Sequence, residues 1–144
     1  MASPHQFATP QPVFPPRPRR RFTLAQANRA LPLVRRIVAD VVRSNHEAAQ
    51  DQTRLETCTS AQQSAIQHSL QATLEHLQDY LDELADIGCE LKDSRIGLID
   101  FVGRHKGHDV YLCWKLGEEK IEHWHELQAG FMGRQPISTL DEKE

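Results

Sequence analysis

Residues at alternating steps of four and three run without a break from Ala27 to Leu55: Ala27, Leu31, Val34, Val38, Val41, Asn45, Ala48, Gln52 and Leu55. That spacing is the seam of one long helix lying along another. A second seam follows the same rhythm through Ile66, Leu70, Thr73, Leu77, Tyr80, Leu84, Ile87 and Leu91. Thr23 is a good N-cap for the first helix, and Gln26 three residues on completes a capping box that Phe22 can staple. Thr59 or Ser60 caps the second helix, and Gly88 suits its C-terminal stop. Only a short polar break, Thr57 to Ser60, separates the two, so they form an antiparallel pair, each helix roughly 45 Å long. Pro32 lies inside the first run, and a kink or a broken first turn is expected between Asn28 and Pro32. Towards the connecting loop Asn45, Ala48 and Gln52 replace larger apolar residues, which makes that tip the least stable part.

The period changes after Leu91. Residues 97–102 (GLIDFV) and 109–114 (DVYLCW) read as strands, and Lys106-Gly107 between them suits a tight hairpin turn. With an even-numbered turn, parity puts Ile99, Phe101, Val110, Leu112 and Trp114 on one face. Leu98, Asp100, Val102, Tyr111 and Cys113 take the other. Residues 121–125 (IEHWH) read as a third strand, with a helical turn as the alternative, and 127–137 as a glycine-containing loop. The fold class is therefore α+β: a long, coiled-coil-like antiparallel helical hairpin followed by a small three-stranded antiparallel β-meander. This single domain is expected over 22–137. Residues 1–21, which hold six of the eight prolines, are expected to form a disordered Pro/Arg-rich tail, and the acidic residues 138–144 to fray.

Charge is unevenly spread. Residues 1–54 carry nine Lys/Arg against three Asp/Glu, and residues 55–144 carry eight against seventeen. Two halves of opposite sign are expected to attract within the fold. Nucleic-acid binding through Arg17, Arg19, Arg20 and Arg21 is the weaker reading, because such domains are usually basic over a whole face. No apolar run approaches the ~20 residues of a membrane span, and no secretory leader is expected. Cys58, Cys89 and Cys113 are odd in number and lack CxxC spacing, which excludes a disulfide framework or a four-thiolate zinc site within one chain.

The C-terminal part is distinctive: CELKD at 89–93, GLIDF at 97–101, VYLCWKLGE at 110–118 and IEHWHELQAGFMGRQPI at 121–137. With FTLAQANRALPLVRRI at 22–37, these runs resemble the bacterial family catalogued as domain of unknown function 2203. The resemblance covers most of residues 22–137. It implies a small cytoplasmic bacterial protein of a helical hairpin plus a β-meander, and it supplies no activity.

Chemistry must come from the residues. Asp100 stands in the middle of an apolar strand, where a carboxylate is costly unless paired. A structural role, accepting from Arg134, Tyr111 or backbone amides, competes with a role as ligand or base. His123 and His125 form an HxH pair that points one way on a strand. With Asp100 they are candidate ligands for Zn or Fe, and Cys113, Glu122 or Glu126 could complete the set. Cys113 as a nucleophile with His125 as base ranks below a buried structural thiol. Residues 130–134 (GFMGR) offer amides and a guanidinium to an anion, but a glycine turn is the simpler reading; GK[ST] and GxGxxG are absent. The leading expectation is a non-enzymatic binding or assembly module whose ligand-binding surface gathers Asp100, Tyr111, Trp124, His125 and Arg134. The alternative is a small metal-binding protein or metalloenzyme using Asp100, His123 and His125. Apolar residues beside the seams, Ile37, Val42, Leu74 and Leu81, point to a homodimer.

Overall fold

A computed structural model describes residues 20–143. The expected tail therefore lies outside the described residues, except for its last two members. Arg20 and Arg21 belong to the folded unit. Arg20 donates to the Ile87 carbonyl at 2.9 Å, and the Arg21 Nε donates to Asp109 at 2.9 Å. Arg21 also forms a parallel bridge with Val102.

Helix α1 spans Leu24–Thr57 and α2 spans Ser60–Ile87. The capping box at Thr23 and Gln26 is formed, and Gly88 ends α2 at φ +106. Helix α1 runs across Pro32 without interruption, so the expected break there does not occur. The seam drifts at the tip: beyond Val41 the buried positions on α1 are Ser44, Ala48 and Asp51, and Ile66 alone is buried in the first half of α2. No helix among the described residues is long and apolar enough to cross a membrane.

Five strands follow, not three: β1 Glu90–Asp93, β2 Leu98–His105, β3 His108–Lys115, β4 His123–Glu126 and β5 Gln135–Pro136. They form one antiparallel sheet in chain order. Strand β1 escapes a reading by pattern because ELKD is short, polar and bulged between Leu91 and Asp93. Strand β5 is two residues at an edge, one of them proline, where a missing donor does no harm. The turn Lys106-Gly107 has φ +48 and +82, as a two-residue hairpin turn of the inverted type requires. It sets His105 opposite His108 and Ile99 opposite Trp114.

The parity reading follows from that register. Ile99, Phe101, Val110, Leu112, Trp114 and Trp124 pack with Leu31, Val34, Val38 and Val41 of α1 as the core. Gly97, at φ +72, lies where an added Cβ would stand 2.7 Å from Leu116 and 2.8 Å from Val38. Gly97→Ala is expected to cost about 2–4 kcal/mol in urea unfolding, from left-handed strain plus overpacking. The segment expected to fray is docked through Glu142. The Lys106 amide donates to the Asp141 carbonyl at 2.7 Å, His105 Nδ1 accepts from the Asp141 amide, and Glu142 accepts from the amide of Leu24 at the start of α1.

Candidate functional site

The sheet's other face carries polar side chains in its middle. Glu90 stands opposite Asp100, Asp100 opposite Cys113, and Cys113 opposite His123, giving one row across four strands. Tyr111 and His125 face each other in the next row. Asp100 is 2 % exposed, His125 3 % and Cys113 0 %, so the centre of this face is as dry as the apolar core.

His125 Nε2 lies 3.2 Å from both oxygens of Asp100, and its Nδ1 lies 2.8 Å from the Glu126 carbonyl. A carbonyl only accepts, so Nδ1 carries a proton. Nε2 and the carboxylate then hold one further proton between them. Burial raises the Asp100 carboxyl above the ordinary carboxylate range, and the imidazole opposes that shift. The Cys113 thiol is pushed up to about 12, first by burial and then by the Asp100 charge, with Arg134 offsetting part of it. Oxygen of Asp100, Sγ of Cys113 and ring nitrogen of His125 all lie within 4.8 Å of one another.

Around this centre the sheet supplies a polar rim. The Tyr111 hydroxyl donates to Glu90 Oε1 at 3.3 Å, and Lys92, on the bulge, reaches the same oxygen and sits 4.5 Å over the Tyr111 ring. Arg134 Nη2 donates to Glu118 Oε1 at 2.6 Å, and the Lys115 amide donates to that oxygen at 2.7 Å. Three buried rim atoms, Glu90 Oε2, His123 Nδ1 and Arg134 Nε, have no hydrogen-bond partner among the described residues.

Of the residues singled out from sequence, Asp100, Tyr111 and His125 come together here, with Arg134 at the rim. Trp124 does not join them. It lies on the core face, stacked on His105 at 4.3 Å and donating to Thr139 Oγ1 at 2.9 Å. Adjacent strand residues point to opposite faces, so Trp124 and His125 cannot share a surface. Residues 123–126 are strand, which puts His123 and His125 on one face as the HxH spacing requires. His123 nonetheless approaches Glu118, at 3.7 Å, and stays outside the close group. Cys113, one strand nearer to Asp100, takes the third place. Glu126 pairs with His108 at the hairpin end instead of completing a site. Asp100 is partnered by His125 rather than by Arg134, which is spent on Glu118. Glu90, Lys92 and Glu118 escaped sequence reasoning because charged residues at strand ends ordinarily read as solvated.

Burial also limits reactivity. Cys89 is buried with its thiol pushed up to about 12, as is Cys113, whereas Cys58 is half-buried at the tip. A chromogenic disulfide reagent at neutral pH is expected to titrate one thiol in the folded chain and three in denaturant. Rapid reaction of two or more in the folded chain would contradict this packing.

The model of a family described as "Uncharacterized conserved protein (DUF2203)" matches residues 20–137. No curated protein and no solved structure matches the chain.

Proposed function

The chain belongs to the DUF2203 family, and we propose that it is a non-enzymatic binding protein whose ligand seats in the Asp100–Cys113–His125 cluster on the outer face of the sheet. One observation carries this reading: a carboxylate, an imidazole and a thiol meet in the dry middle of a sheet whose opposite face already provides the core. Buried polar groups of this kind are a weak source of stability, and apolar residues of similar volume often serve the fold as well. The partnerless Oε2 of Glu90, opposite Asp100 in the same row, supports a ligand that would satisfy it. A non-enzymatic role fits a thiol held far from ionisation and three central groups shielded from solvent.

Native mass spectrometry of the full chain, purified without a histidine tag, tests the reading. A non-covalent mass excess on the wild type that is absent from Asp100→Asn is the expected result. Bare sequence mass for both proteins would remove it.

Self-association through the helical hairpin is a second reading. Leu33 and Leu74 stay more than a third exposed, and α2 buries only Ile66 and Leu84. Light scattering should then report twice the 16.5 kDa chain mass at tens of micromolar. A strict monomer rules it out.

A further inference from the structure

We propose that the ligand is a zinc-class divalent metal ion held by the Asp100 carboxylate, Cys113 Sγ and His125 Nε2. This rests on the binding reading above and names the chemistry of its ligand. Three features of the cluster carry it.

The first is distance. Bonds of about 2.0–2.3 Å meeting at one tetrahedral ion place donor atoms roughly 3.3–3.8 Å apart. His125 Nε2 and Asp100 are already 3.2 Å apart, and no pair in the group exceeds 4.8 Å. Closing the remaining gap takes a side-chain movement of about 1 Å, which leaves the strand register untouched.

The second is orientation. His125 gives its Nδ1 proton to the Glu126 carbonyl at 2.8 Å. That is the outer-shell bond by which ligating histidines are held in place, and it turns the Nε2 lone pair towards Asp100 and Cys113. The ring is set as a ligand before any ion arrives.

The third is charge and softness. A dication with one carboxylate, one thiolate and one neutral imidazole sums to zero, the balance that a buried site tolerates. The Arg134 guanidinium, which also acts on Cys113, is matched by Glu118 at 2.6 Å, and Lys92, which acts on Asp100, is matched by Glu90 at 3.3 Å. Sulfur with imidazole selects zinc, and cobalt as its spectroscopic substitute, over magnesium or calcium. This donor set replaces the trio Asp100, His123 and His125 expected from sequence. It joins β2, β3 and β4, so the ion would clasp three strands from a closed position and be taken up as the sheet forms.

The experiment uses the full chain, stripped with a chelator and titrated with Zn²⁺ or Co²⁺ alone. One equivalent per chain is expected, with a near-ultraviolet sulfur-to-cobalt charge-transfer band. Cys113→Ser should lose that band and bind Zn²⁺ at least about 100-fold more weakly, while His123→Ala stays within a few-fold of the wild type. Should Cys113→Ser fail to fold by circular dichroism, the wild-type cobalt spectrum decides alone: binding without a sulfur band overturns the ligand set. Loss of binding in His123→Ala as severe as in Cys113→Ser overturns it too. If Zn²⁺ does not bind but the native mass excess persists, the metal is wrong and the binding reading stands. If both are absent, both fall.

Discussion

Trp114→Ala is expected to be the most damaging single substitution in this chain, costing about 3–5 kcal/mol of unfolding free energy. Trp114 is fully buried on β3, opposite Ile99, and faces α1. Its indole Nε1 donates to the Glu118 carbonyl at 2.9 Å, and the Arg35 guanidinium lies 5.9 Å from its ring. Truncation therefore removes a large apolar volume that stiff strands and a long helix cannot collapse to fill. It also leaves the Glu118 carbonyl without its donor. Glu118 holds Arg134 as well, so the damage reaches the rim of the polar cluster. Domains of this size have a total stability of about 5–15 kcal/mol, so the loss is a large share of it. Urea unfolding followed by the remaining Trp124 fluorescence measures the change. A loss below about 1 kcal/mol would show that the sheet does not sit on α1 as described.

Asp100→Ala is the second. Removing the carboxylate strands His125, 3 % exposed, in a dry site whose ring had 3.2 Å contacts to both carboxylate oxygens. Breaking a buried pair in this way costs about 3–5 kcal/mol. The double change Asp100→Leu with His125→Leu removes both polar groups and should be near neutral or stabilising by the same reasoning. That contrast separates a pair kept for binding from one the fold needs: an equally large loss in the double variant would favour the structural role. The pH dependence carries a sign. Burial raises the folded-state carboxyl of Asp100 above its unfolded value of 3.8. Its contribution to stability is fully present below that unfolded value and is lost as pH rises through the raised folded one. Asp100→Asn should flatten the fall in stability as pH rises above the unfolded value of 3.8, as seen in denaturant midpoints.

Much of the architecture was legible because it is periodic. The step of 3.5 from Ala27 to Leu91 needs two rods side by side, and the step of two from Leu98 to Trp114 needs a pleated face. Thr23 with Gln26, Gly88 and Lys106-Gly107 mark their own boundaries through local hydrogen bonding and backbone geometry. Parity likewise places Asp100 and Cys113 on one face from sequence alone. What has no period stayed hidden. Strands β1 and β5 are four and two residues long, and they exist only because β2 and β4 offer open edges to pair with. The docked C-terminal residues are held by partners 36 and 118 positions away.

The repeat lengths alone dictated a helical hairpin followed by a sheet, since each period can bury its apolar stripe in one way only. Tertiary structure alone decided which polar groups meet. Pairing of β3 with β4 sets His125 beside Tyr111 and leaves His123 to Glu118, while pairing of β2 with β3 brings Cys113 to Asp100. The reason is one of range: secondary structure depends on neighbours a few residues apart, whereas the cluster gathers positions 100, 113 and 125, whose separation is set by how three strands align.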